Sequence, residues 1–213
     1  MTANTLSLFS TPIRIQMLNL DVKQLSDLFY GIKENNKGRK FTNSGGGWQS
    51  DDLNLIELAE KNENFKLLLK HIISVSNEFA KDLGIKHDIG IANLWINISG
   101  KGAYNKSHVH PNSILSGVFY IKTPPSCGNI VFANPNINLI HAYLNYFHLL
   151  ENENLEENSV LKHLDWIIPP EENKILLFPS WLPHYVDDNL SDEDRISISF
   201  NFATIYPKEE PTQ

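Results

Sequence analysis

Three histidines and one arginine of this 213-residue chain have the types and spacing that suit metal and anion chemistry. His108 and His110 stand two apart in YNKSHVHPNSILSGVFYI, residues 104–121. In an extended chain, side chains two apart leave the same face, about 6–7 Å from each other along the strand. Imidazoles at that spacing can converge on one ion, although the pair alone also fits two polar residues at the start of a strand. The best third ligand is His184 in LLFPSWLPHYVDD, after an apolar strand and a proline-bounded turn that can aim its side chain. Arg195 follows across the turn DDNLSDED. Nitrogen ligands with open coordination positions suit Fe(II) or Zn(II). A nearby inward arginine suits the far carboxylate of a bidentate acid whose other end chelates the metal.

The elements that must position these groups are strands. From Ile91 onward the apolar period is two, in IANLWINIS, SILSGVFYIK, GNIVFANP, NKILLFPS, LPHYVDD and DRISISFNFATIY. Strand side chains alternate between faces. The last strand therefore places Arg195, Ser197, Ser199 and Asn201 on one face and Ile196, Ile198, Phe200 and Phe202 on the other. IANLWINIS likewise separates Asn93, Trp95, Asn97 and Ser99 from Ala92, Leu94, Ile96 and Ile98. SILSGVFYIK separates Ser116, Val118 and Tyr120 from Leu115, Phe119 and Ile121. A face turned to water would carry more Lys and Glu; these polar faces predict an enclosed pocket.

Helical patterns come first in the chain. Residues 6–18 read as a first strand broken by Pro12. Asp21 caps a helix that buries Leu25, Leu28 and Phe29 and stops at Gly31. Residues 35–50 read as a polar loop made flexible by Gly45, Gly46 and Gly47. ENFKLLLKHIISVSNEFAKDLG repeats Phe65, Leu68, Leu69, Ile72, Ser76, Phe79, Ala80 and Leu83 at helical spacing, with Gly84 suited to the position just past the end. His71 reads as a residue of that helix. Residues 137–163 interrupt the strands with a helical stretch and an acidic loop, a lid, an oligomer contact or decoration. His141, His148 and His163 fall there and read as helix or loop residues. The tail YPKEEPTQ reads as disordered. Helices followed by strands predict an α+β, mainly β fold, a sandwich or barrel with the N-terminal helices packed on one sheet.

Composition narrows the classes further. The length suits one domain over 1–213, with a helical part to about 88, a β core over about 89–206 and the 137–163 insertion. The chain is 41% hydrophobic, an ordinary globular value. A net charge of −7 argues against nucleic acid as the main partner. A single cysteine, Cys127, excludes an internal disulfide framework and a cysteine-rich zinc site. No apolar run has transmembrane length, and the opening MTANTLSLFSTPIRIQ lacks a signal-peptide pattern, so a reduced, cytoplasmic setting is expected.

Four pieces in order, LWIN (94–97), HVHPNSILSGVFY (108–120), LLFPSWLPH (176–184) and RISISFN (195–201), resemble the 2-oxoglutarate and Fe(II)-dependent oxygenase superfamily. The likeness is to a bacterial and phage group related to prolyl hydroxylases and covers roughly residues 90–205. The resemblance implies a double-stranded β-helix (jelly-roll) core and the cofactors Fe(II) and 2-oxoglutarate. It implies oxidation of a substrate coupled to oxidative decarboxylation of 2-oxoglutarate. Carried over, His108, His110 and His184 hold iron, Arg195 and Tyr120 bind the far carboxylate, and Ser197 matches the serine of the R-x-S pattern. Asn97, Ser116 and Asn201 face the same cavity by parity. Trp95, Trp181 and the Gly45–Gly47 loop are candidates for the substrate entrance. Most of the superfamily has a carboxylate where His110 stands. A neutral imidazole leaves the centre one charge more positive, which would favour a dianionic cosubstrate or shift the preference toward zinc. The alternative is that His110 turns away and water completes the shell.

Other readings of the same histidines are a cupin-like dioxygenase, a zinc hydrolase and a non-catalytic jelly-roll binding module. A cupin expects a glutamate soon after His-x-His, and Pro111 to Gly117 offers none. A zinc hydrolase leaves Arg195 unexplained. The partners expected are a small-molecule cosubstrate and a substrate the sequence does not name, with no membrane and with a homo-oligomer open.

Overall fold

Three side-chain caps start the three helices. The computed structural model describes residues 10–39, 44–136 and 165–205. Asp21 accepts from the Gln24 amide and opens α1 (Val22–Asn35). Asn54 caps α2 (Leu55–Lys61), and Asn62 caps α3 (Glu63–Asp82). Each side-chain oxygen satisfies an amide that has no partner inside the helix. At the far end of α3, Gly84 takes a φ of 76°. Its amide donates to Lys81 O and the Ile85 amide to Ala80 O, a closed C-terminal turn that a left-handed residue permits.

Two expectations are corrected here. Helix α1 does not stop at Gly31 but runs to Asn35. Gly31 sits on its exposed face, and Asn35 Nδ2 donates to Gly31 O, so this glycine only weakens the helix. The glycine loop is partly paired. It contains β2 (Ser44–Gly45) and β3 (Trp48–Gln49), because Gly45 lies flat against the Tyr104 ring and Gly46 supplies a φ of 73°. Helix α2 and two further strands were not anticipated from the sequence.

The remaining strands are β1 (Arg14–Met17), β4 (Ile89–Ser99), β5 (Tyr104–His108), β6 (Leu115–Lys122), β7 (Ile130–Ala133), β8 (Asp165–Ile168), β9 (Lys174–Pro179), β10 (His184–Val186) and β11 (Arg195–Thr204). They form two antiparallel sheets, ordered β1-β9-β6-β11-β4-β3 and β2-β5-β10-β7-β8. This is the double-stranded β-helix architecture, mainly β, with the helices on one sheet. The expected insertion, its three histidines and the chain tail lie outside the described residues.

Strand parity decides what each face of the six-stranded sheet does. Leu94, Ile96, Ile98, Phe119, Ile196, Ile198, Phe200 and Phe202 pack against Leu25 and Phe29 of α1 and Phe65, Leu68, Ile72 and Phe79 of α3. Val118, Tyr120, Leu176 and Phe178 face the second sheet instead and meet Ile130, Phe132 and Ile168 there. Gly117 marks how tight the helix side is. A Cβ added there would overlap the Phe200 ring and lie 2.7 Å from Leu177 Cδ2. Gly117→Ala is therefore expected to lower stability by about 1–3 kcal/mol, the cost of overpacking a core. Urea unfolding measures it, and metal affinity should not change, because the methyl points away from the histidines.

Candidate metal centre

The three histidines arrive from three places in the second sheet and its turns. His108 is the last residue of β5 and His184 the first of β10, and these two are register partners across adjacent strands. His110 lies beyond the end of β5, where its amide donates to Ser180 O at 2.9 Å. The pair is thus not a plain i, i+2 strand pair. The chain leaves the strand after His108, and the bond to the β9–β10 turn brings His110 over the site. The ring centroids are 4.9 Å apart for His108 and His110, 4.3 Å for His108 and His184, and 5.1 Å for His110 and His184.

One nitrogen from each ring falls within 4.8 Å of the others. His110 Nε2 and His184 Nε2 are 3.3 Å apart. Metal–nitrogen bonds of about 2.1 Å at 90–109° separate two ligating nitrogens by about 3.0–3.4 Å, so this pair already has ligand spacing. His108 Nδ1 pairs with Lys106 O at 2.7 Å and His184 Nδ1 with Leu182 O at 2.9 Å. A carbonyl at Nδ1 fixes the proton there and leaves the Nε2 lone pair free for a metal. Burial, with a smaller contribution from His108, pushes His110 down to about 4. Burial and the neighbouring histidines push His184 down to about 3. Burial also lowers His108. All three imidazoles are neutral at pH 7, the form that ligates. The residues present fit a divalent metal.

A cavity opens in front of them. It is lined by His108, His110, His184, Tyr120, Arg195 and Ser197, and by Asn97, Trp95, Ser99 and Ser199 from the polar faces. Arg195 is 3% exposed and its Nη1 donates to the carbonyls of Cys127 and Gly128. It forms no ion pair with a carboxylate among the described residues. Burial lowers its pKa, against opposing pulls from Tyr120, Cys127 and Asp187. A guanidinium stays charged in proteins, and a buried charge without a partner is costly. Tyr120, also buried, has its hydroxyl pKa raised by desolvation, so it remains a donor. This donor set fits a carboxylate.

Two of the expected residues sit apart from the lining. Ser116 Oγ donates to Asn201 Oδ1 at 2.7 Å and lies 2.8 Å from Ser180 Oγ, while Asn201 Nδ2 donates to Asn93. They form a buried polar cluster beside the turn that holds His110. Trp181 is 56% exposed in that turn. Trp95 is buried, between His110 at 6.0 Å and the Arg39 guanidinium 4.9 Å from its ring. Gln49 and Asn105 also line the cavity and were not anticipated. Gln49 Nε2 donates to Asn97 Oδ1, whose amide donates to Ser199 Oγ. A two-residue strand shows no alternation, so its inward side chain carries no signal in sequence. His71 sits half-buried in α3, outside the cluster of His108, His110 and His184.

A family model described as "Putative 2OG-Fe(II) oxygenase" matches residues 93–201. Among solved structures, the chain is similar to a prolyl-4-hydroxylase of Pseudomonas putida, with TM-score 0.61, 14% identity and coverage of 93% of this chain and 96% of that one. It is similar to a prolyl hydroxylase of Trichoplax adhaerens, solved with a peptide fragment of the hypoxia inducible factor oxygen degradation domain. There the TM-score is 0.61, the identity 16% and the coverage 90% and 83%. It spans half the length of a 2OG-Fe(II) oxygenase family oxidoreductase from Burkholderia pseudomallei, at 13% identity, 59% coverage of this chain and TM-score 0.43. No curated protein matches the sequence.

Proposed function

Because the chain belongs to the 2OG-Fe(II) oxygenase family, we propose that it is a hydroxylase holding Fe(II) through His108, His110 and His184 and 2-oxoglutarate through Arg195. The observation that carries this reading is the placement, on one cavity, of three imidazoles and a buried guanidinium that has no carboxylate partner among the described residues. Arg195 and the Tyr120 hydroxyl receive the far carboxylate. Ser197, two residues along β11 from Arg195, offers a hydroxyl to the same end. The histidines would then be left to hold the metal and, through it, the 2-oxo acid end. Fe(II) and 2-oxoglutarate together supply oxygen activation coupled to decarboxylation; the protein supplies geometry and exclusion of water.

His108 and His184 keep their rings oriented through the Lys106 and Leu182 carbonyls. Trp95 walls the centre on the His110 side. Asn97, held between Gln49 and the β11 serines, keeps the floor of the cavity polar without adding charge. No carboxylate lines the cavity among the described residues. That argues against a zinc hydrolase, which needs a general base. It also leaves the site more positive than one built with an Asp or Glu, a setting that favours a dianionic cosubstrate.

The test is succinate release from 2-oxoglutarate by the Fe(II)-loaded protein, screened over peptidyl proline, other amino-acid side chains, nucleotides and small metabolites. The reading expects succinate above background even without a substrate, and a rise with the correct one. Absence of succinate together with absence of 2-oxoglutarate binding would overturn it.

A further inference from the structure

The three imidazoles are not held alike. His108 and His184 stand on paired strands, and each has its Nδ1 tied to the carbonyl two residues before it. His110 stands past the end of β5, followed by Pro111 and by Asn112 at a φ of 61°. Its backbone is pinned through its amide to Ser180 O. Its Nδ1 has no hydrogen-bond partner among the described residues, and its ring contacts are with Trp95 and the other two histidines. His108 and His110 are both half-buried and only His184 is buried, so the difference between His108 and His110 lies in the anchoring of Nδ1.

From this asymmetry we infer that His110 is the exchangeable ligand of the centre, while His108 and His184 are its fixed pair. The inference rests on the three-imidazole reading above. A ligand whose far nitrogen is anchored keeps its orientation when the metal–nitrogen bond opens, and rebinds without a rotamer search. Loss of such an anchor typically costs 10–100-fold in metal affinity. His110 has no anchor to lose. Opening its bond frees the side chain to rotate toward solvent about a backbone that stays in place. The centre thus keeps its metal on two imidazoles and gives the third position to water or a small anion, a role that a charged aspartate at this position would resist.

The test uses Co(II) alone with metal-free protein, followed by calorimetry, visible absorption and proton NMR. His108→Ala should lower Co(II) affinity about 100-fold or more. His110→Ala should lower it less than about tenfold while changing the visible bands. In wild-type protein the paramagnetically shifted imidazole N–H signal of His184, buried and bonded to Leu182 O, should exchange slowly in D2O, and that of His110, without such a partner, rapidly. Circular dichroism checks folding, and His108→Gln replaces the alanine variant if that one fails. If His110→Ala changes the spectrum but costs as much affinity as His108→Ala, the three-imidazole centre stands and the inference falls. If His110→Ala leaves the spectrum unchanged, His110 is not a ligand and the reading beneath the inference fails with it.

Discussion

Arg195→Ala should weaken 2-oxoglutarate binding by about 30- to 5,000-fold while leaving metal binding within about twofold. The range corresponds to about 2–5 kcal/mol, the usual cost of removing one member of a buried, hydrogen-bonded charge pair. Arg195 fits that category because it is 3% exposed, bonded to two carbonyls and without a carboxylate partner among the described residues. The metal is held from the other sheet, so its affinity should barely respond. Calorimetry with 2-oxovalerate, which keeps the 2-oxo acid end and lacks the far carboxylate, separates the two ends of the cosubstrate. The variant and the wild type should bind 2-oxovalerate alike. Equal weakening of both acids would place Arg195 elsewhere than at the far carboxylate. Arg195→Lys should recover only part of the loss, because an ammonium cannot offer the two parallel donors of a guanidinium.

His184→Ala should abolish the stabilisation that metal gives the wild type. A ligand at a hundred times its dissociation constant stabilises a fold by about 2.7 kcal/mol. For a domain of this size that is a rise in Tm of about 5–10 °C. Of the three histidines proposed as ligands, His184 is the most buried, 4% exposed and packed edge-on at 4.7 Å from Phe178. The variant loses a ligand and leaves a gap beside Phe178 and Phe132, so its metal-free Tm should also fall. The diagnostic quantity is the difference with and without Co(II), which should vanish in the variant and disappear from the wild type on chelation. A retained metal-dependent rise in the variant would remove His184 from the centre.

Much of the fold was legible because its signals are local. The helix over residues 63–82 declares itself through apolar spacing and Gly84, and the long strands declare themselves through alternation. Alternation also separated the two faces of β4, β6 and β11, and the face assigned to the pocket does line it at Trp95, Asn97, Ser99, Val118, Tyr120, Arg195, Ser197 and Ser199. Four short strands escaped, namely β2, β3, β5 and β8, while β1, β7 and β10 lay inside longer stretches that had a strand pattern. Such pieces carry too few residues for a period, and pairing with a neighbour, not propensity, makes them strands. Helix α2 escaped for a similar reason. Its sequence signal was a single cap, Asn54 with Glu57, which bond to each other.

By itself, the sequence determined the chemistry available to this protein: three imidazoles, one inward arginine, a set of neutral polar side chains and no second cysteine. It also determined which face of each long strand would carry them, since a backbone period of two is a covalent property of extended chain. Only the tertiary structure decided how the histidines meet. His108 and His184 become partners because β5 and β10 pair, a contact spanning 76 residues that no local pattern encodes. His110 joins them because its amide reaches Ser180 O, not because strand geometry carries it there. The structure likewise decided that Ser116 and Asn201 bond to each other beside the cavity and that Gln49 enters it. These are consequences of which segments lie side by side, and long-range hydrogen bonds and close packing settle that.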